Sequence, residues 1–219
     1  MFSAPMVRAI LDDRKTQTRR VIASVPDDVT GTGLYAPTMV NKRTGEEYPG
    51  PDVVGIWGDD WDIKARFQPG DTLWVKEKWR YYASTLNPVA NFGIQYRADD
   101  DIHYYPDWDK AMQSLCERNG KWRNPMFMPR WASRITLTVT DVRVERLQDI
   151  SEADANAEGV SGDLCVSAER AAKMGAAEIE FDYRTSYAAL WDSINGKNHP
   201  WASNPWVEVI TFKREAARG

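Results

Sequence analysis

Histidine and cysteine are scarce: the 219 residues include only His103 and His199, Cys116 and Cys165. Two cysteines cannot build a disulfide framework, and no C-x-x-C pair occurs, so a reducing, cytoplasmic setting is expected. Neither histidine has a cysteine at ligand spacing, which argues against a structural zinc site; no metal and no cofactor is expected. No apolar run approaches membrane-spanning length, and the first residues do not read as a charged leader followed by an apolar stretch. No membrane partner is therefore expected. Positive charge is in short supply as well, with 28 Lys and Arg against 32 Asp and Glu, a net charge of -4. A broad, non-specific nucleic-acid binder carries a basic face, so any such role here has to be local.

What the chain does contain is apolar and aromatic. Hydrophobic residues make up 42%, enough for a sizeable core and against global disorder. Ten tryptophans are many for this length. Most are expected in the core, with a minority left to stack on a ligand base. Against the acidic balance stands R-K-T-Q-T-R-R, Arg14 to Arg20, in which four of seven residues are cationic and two are threonines, Thr16 and Thr18. Such a patch points to a specific anionic or polar ligand, the alternative being a solvated charge run.

Residue patterning gives an α+β chain. Ser3-Ala4-Pro5 opens a helix through Leu11, with Met6 and Ile10, Val7 and Leu11 on its inner face. Asp12-Asp13 opposes the helix dipole and ends it. Residues 24–66 read as an irregular insertion carrying one short hairpin, and 84–128 as a second with a short helix near Trp108–Arg118. Pro69-Gly70-Asp71 is a turn before a strand from Thr72 to Glu77. Ile135, Leu137 and Val139 alternate with threonines, then the apolar phase slips to Val142 and Val144, which requires a bulge near Thr140-Asp141. Ser151 and Asp154 form a weak capping box for a helix ended by Gly159. Residues 160–180 are ambiguous. Tyr187, Leu190, Trp191 and Ile194 mark a further helix to Asn195, and Trp206–Phe212 a central strand. This order suits one domain over 1–219, a small mixed barrel with flanking helices and two long loop insertions.

Taken together, I-L-D-D-R-K-T-Q-T-R-R (Ile10–Arg20), the P-G-D turn before a strand, S-E-A-D-A-N-A-E-G (Ser151–Gly159) and the closing W-V-E-V-I-T-F (Trp206–Phe212) resemble the ASCH domain family. M-P-R-W-A-S-R-I (Met128–Ile135) and L-W-D-S-I-N-G (Leu190–Gly196) are similar to its phage and prophage members. The resemblance spans the chain in pieces, leaves both insertions uncovered, and rests on motif order and spacing together. It implies a PUA-like barrel in a bacterial host cytoplasm. The family usually has glycine where this chain has Asp13, a position expected to take a positive φ that aspartate tolerates.

Some small members of that family are metal-independent amidohydrolases that deacetylate N4-acetylcytidine, and their lysine, threonine and glutamate correspond by motif to Lys15, Thr18 and Glu158. Amide cleavage needs a nucleophile, a base and an oxyanion stabiliser. Thr18 would attack or orient a water; Lys15, its pKa lowered by neighbouring arginines, would be the base; Glu158 would hold the lysine or shuttle a proton. On an ideal strand Lys15 and Thr18 point to opposite faces, so they converge only if the chain turns between them. Arg14, Arg19, Arg20, Arg130 and Arg134 are the candidate substrate-binding cations. Trp79 and Trp131 are candidate stacking surfaces, against core packing for each. Glu77 is expected beside an arginine, Arg20 or Arg134, as a structural pair. The expected ligand is a modified nucleoside or single-stranded RNA. Alternatives are a non-catalytic RNA-binding module, a metal-free ribonuclease, or a phage accessory protein whose insertions bind a host protein.

Overall fold

The apolar phase of the long strand flips at two consecutive outward residues. Leu137 and Val139 are buried, Thr140 and Asp141 are both exposed, and Val142 and Val144 are buried again. The structure, a computed structural model, describes residues 2–216 apart from positions 24, 27, 42, 44, 50–51, 60, 85–91, 106–108, 119 and 161–181. It is a mixed α+β arrangement of mostly strands with a few helices. The chain divides into two compact units, one formed by Met1–Asp13, Thr72–Leu137 and Arg214–Gly219, the other by Arg14–Asp71 and Thr138–Lys213.

In the first unit, helix α1 (Ala4–Leu11) follows Ser3 and carries a proline in its first turn, where a missing N–H costs nothing. Val7, Ala9 and Ile10 are its buried residues. Asp13, just past its end, has φ 55 and pairs both carboxylate oxygens with Arg214 at 3.0 Å, so an aspartate does occupy the left-handed position. Strands β8 (Trp79–Ala83), β9 (Phe92–Tyr96) and β10 (Ile102–Tyr104) form an antiparallel sheet in the order β10-β9-β8. Helix α2 (Lys110–Arg118) contacts β8 and β9. The core between them gathers Trp79, Tyr81, Ile94, Tyr96, Cys116, Met128 and Ala132. Burying each of the larger side chains is worth about 1.5–3 kcal/mol. The turn after Gly70 leads into β7, which covers only Thr72–Trp74, shorter than the alternation through Glu77 predicts.

In the second unit, β1 (Gln17–Val21) pairs antiparallel with β12 (Trp206–Arg214), and β12 lies between β1 and β11 (Thr136–Arg146). That central place explains its burial on both faces, with Val207, Glu208, Val209 and Ile210 all inside. Val207 and Val209 join Leu147, Ile150 and Ala155, and two rings from helix α4 (Tyr183–Asn195), Tyr187 and Trp191. Helix α3 (Glu152–Ala157) starts on a real cap, Ser151 Oγ accepting from Asp154 N, and Gly159 at φ 79 reverses the chain after it.

The segments read as loops are more regular than expected. Residues 24–66 carry β2 (Gly31–Tyr35), β3 (Thr38–Val40), β4 (Glu47–Pro49), β5 (Val53–Trp57) and β6 (Asp62–Lys64), in a β2-β5-β6 sheet and a β3-β4 hairpin. The second segment carries β9 and β10 besides its helix. Val53-Val54-Gly55-Ile56 is buried throughout, so its strand shows no alternation to read. The ambiguous stretch at 160–180 falls, beyond its first residue, outside the described residues.

Candidate functional site

Strand alternation in β1 sorts the cationic motif into two sets. Lys15 enters the sheet by a bridge to Glu158, Thr16 N donates to Ala157 O at 2.9 Å, and Phe212 N donates to Thr16 O at 2.8 Å. The chain is therefore extended from Lys15 onward, and Lys15, Gln17 and Arg19 share one face.

That face meets residues from two other elements. Lys15 Nζ donates to Glu158 Oε2 at 2.7 Å, to the Glu158 carbonyl at 2.8 Å and to the Gln17 carbonyl at 2.8 Å. Arg19 reaches Glu158 Oε1 at 3.2 Å and Glu145 Oε1 at 2.7 Å, with Asp154 Oδ2 at 3.6 Å. Gln17 Nε2 donates to Asp154 Oδ1, and Arg143 donates to both Glu145 and Asp154, each at 2.9 Å. Three cations (Lys15, Arg19, Arg143) thus face three carboxylates (Glu145, Asp154, Glu158).

Tyr187 completes the cluster from α4, its ring centroid 5.9 Å from the Arg19 guanidinium carbon and its hydroxyl in the field of the Glu158 carboxylate. Burial, then the Glu158 charge, raises the Tyr187 hydroxyl well above its ordinary pKa, so it stays a donor. Burial pushes the Lys15 ammonium below its ordinary pKa; the Glu158 charge and hydrogen bond oppose this, while Arg20 and Arg19 add to it. For Asp154, burial raises the carboxyl, but hydrogen bonds from Gln17 and Ser151 with the Arg143 and Arg19 charges outweigh it, leaving it below the usual range.

Thr18 and Arg20 occupy the opposite face of β1, in register with Ile210 and Glu208. Thr18 is buried. Glu208, also buried, accepts from Arg66 N at 2.7 Å, and burial raises its carboxyl against the backbone N–H of Arg66 and the charges of Arg66 and Arg20. The chain does not turn between Lys15 and Thr18, so their side chains diverge. Arg14 is exposed.

The remaining candidates belong to the first unit. Glu77 is paired with Arg134 through two bonds of 2.9 and 3.0 Å, the second of the two expected partners. Arg134 also holds Asp99 and Asp101, so all five of its N–H groups are used, and its guanidinium carbon lies 4.2 Å from the Tyr96 centroid. Burial pushes the Glu77 carboxyl up, and Arg134 pulls it back only in part. Trp79 is a core residue, 1% exposed, whereas Trp131 is 46% exposed and lines, with Arg130 and Arg134, a cavity of about 460 Å³.

Sequence reasoning missed Gln17, Arg143, Glu145 and Tyr187 as site members and read Asp154 only as a cap. Polar residues alternating on a strand, as Arg143 and Glu145 do between valines, ordinarily face water, and nothing local distinguishes a covered polar face from a wet one. Chemically, the sealed cluster holds an amine whose proton is easier to lose than usual against a carboxylate. Among the described residues no group of three His, Cys, Asp or Glu is placed to hold a metal ion, and no helix is long and apolar enough to cross a membrane. No protein-family model, no curated protein and no solved structure matches this chain.

Proposed function

We propose that the chain is an ASCH-type protein with a PUA-like barrel that acts on a nucleoside or RNA base, as a metal-independent amidohydrolase of N4-acetylcytidine-like substrates. The observation that carries this reading is the Lys15–Glu158 pair: an amine and a carboxylate 143 residues apart meet at 2.7 Å inside the protein. Burial favours the neutral amine, which is the form a base needs. In the reaction, a water oxygen attacks the acyl carbon while Lys15 takes its proton. The C–N bond then breaks, the proton passes to the departing exocyclic nitrogen, and acetate and cytidine leave. Water fits better than the Thr18 hydroxyl as the attacking group, because Thr18 lies on the other face of β1. Arg19 holds the Glu158 carboxylate in place.

A second reading, a non-catalytic nucleic-acid-binding module, is favoured by one fact. All three Lys15 N–H groups are already bonded, which suits a structural staple between β1 and the end of α3. Incubation with N4-acetylcytidine, followed by chromatography for cytidine, decides between them. The hydrolase reading expects turnover that disappears in Lys15→Met and Glu158→Gln proteins that still unfold cooperatively, while Thr18→Ala keeps it. No turnover on any of a panel of acylated nucleosides and acylated RNA overturns it.

A further inference from the structure

The first unit holds a second place built for a ligand, and it stands on that unit alone, whether or not Lys15 is catalytic. Its cavity, about 460 Å³, falls in the roughly 300–1,000 Å³ range of small-molecule sites. Tyr105 contacts His103 and Trp131 edge to face, with centroids 4.8 and 6.0 Å away, and all three residues line it. Trp131 leaves almost half its surface exposed although its neighbour Ala132 is sealed in the core. Its backbone is fixed at two successive carbonyls: Tyr105 donates to Trp131 O at 3.4 Å and Tyr96 to Ala132 O at 2.8 Å. An indole held open on a rigid backbone is a stacking surface that needs no reordering to bind.

The two arginines in the cavity divide into one spent and one available. Arg134 gives every N–H to Glu77, Asp99 and Asp101 and serves as wall. Arg130 is exposed, donates one bond to Thr136 Oγ1 at 3.3 Å, and makes no ion pair among the described residues. Its guanidinium carbon lies 5.9 Å from the Trp74 centroid, which keeps the side chain in place. Glu215 also lines the cavity, its backbone tied to Thr136 O at 2.9 Å. A single exposed guanidinium suits one phosphate, and the Glu215 carboxylate in the same lining disfavours further phosphates placed inside the cavity.

We infer that this cavity binds one nucleotide, the base stacked on Trp131 and its single phosphate paired with Arg130, taken either as a free monophosphate or from a single strand. Calorimetric titration of the full chain at several salt concentrations tests it, using adenosine, adenosine 5′-monophosphate, adenosine 5′-triphosphate and a short single-stranded oligoadenylate. The monophosphate is expected to bind more tightly than adenosine or the triphosphate. Trp131→Ala weakens it by about five- to a hundredfold, while Trp131→Phe keeps most of the affinity. Arg130→Gln brings the monophosphate down to the affinity of adenosine and lowers the salt slope by about 1. A tighter, more salt-dependent oligoadenylate identifies a strand as the source; a monophosphate that matches it identifies the free nucleotide. The inference is overturned if neither monophosphate nor oligoadenylate binds, or if both bind Trp131→Ala and Arg130→Gln as well as they bind the unaltered chain. Lys15→Met separates the two sites: nucleotide binding persists in it even if deacylation was never present.

Discussion

Two charge clusters in this protein use the same groups on different terms. In the second unit Lys15, Arg19 and Arg143 face an equal number of carboxylates, and the central side chains, Arg19, Lys15 and Glu158, are 0%, 1% and 4% exposed. In the first unit one arginine, Arg134, faces Glu77, Asp99 and Asp101, and the outermost carboxylate, on Asp101, is 58% exposed. The central side chains of the sealed cluster are shielded from solvent, so its members depend on one another and its lysine loses some of its basicity. The open cluster can rehydrate a charge left over when one partner goes.

The sharpest test removes one carboxylate from each. Glu158→Ala leaves Lys15 and Arg19 buried without their shared partner and should cost about 3–5 kcal/mol in urea unfolding. Glu77→Ala leaves Arg134 with two carboxylates and should cost about 1–3 kcal/mol. Equal costs would erase the distinction; where Glu158→Ala fails to fold, Glu158→Gln measured the same way preserves the comparison.

Next in size is Tyr187→Phe, which deletes only the hydroxyl that lies in the field of the Glu158 carboxylate. A hydrogen bond to a charged group is worth about 1.5–3 kcal/mol, so a loss of that size that vanishes in a Glu158→Gln background assigns the hydroxyl to Glu158, and a loss that persists there does not.

Proton linkage follows the same division. The folded chain holds the Lys15 proton more weakly than the unfolded chain does, so between the lowered folded pKa and roughly 10.4 the unfolded state binds more protons. Stability from this group therefore rises with pH across that window, and Lys15→Met flattens the rise. Asp154 acts at the acid end: its depressed carboxyl contributes stability above roughly pH 3.9 that is lost as pH falls through its folded value. Asp154→Asn should remove that part of the acid loss, read as urea midpoints against pH. The smallest effect belongs to Asp101→Asn, whose exposed pair with Arg134 should be worth no more than about 1 kcal/mol in the same assay.

Local signals were legible because they act within one turn or one strand. The proline-opened start of α1, the Ser151 cap, the reversal at Gly159 and the slip at Thr140-Asp141 each reflect steric or hydrogen-bond rules that span a few residues. Asp13 is a different case: its positive φ was expected only from the glycine usual at that place in the family the chain resembles, and φ 55 is what the backbone adopts. The strands of 24–66 escaped reading because their order comes from pairing, as β2 finds β5 across a hairpin, and not from an alternating pattern.

By itself the amino-acid sequence determined an α+β chain with a concentrated cationic motif near its start. Only the tertiary structure decided how that motif divides. The pairing of β1 with β12 sends Lys15 and Arg19 to one face and Thr18 to the other, and the end of α3 delivers Glu158 to the first of these. Partition between faces depends on which strand lies alongside and what covers it, and such long-range contacts leave no trace in the spacing of neighbouring residues.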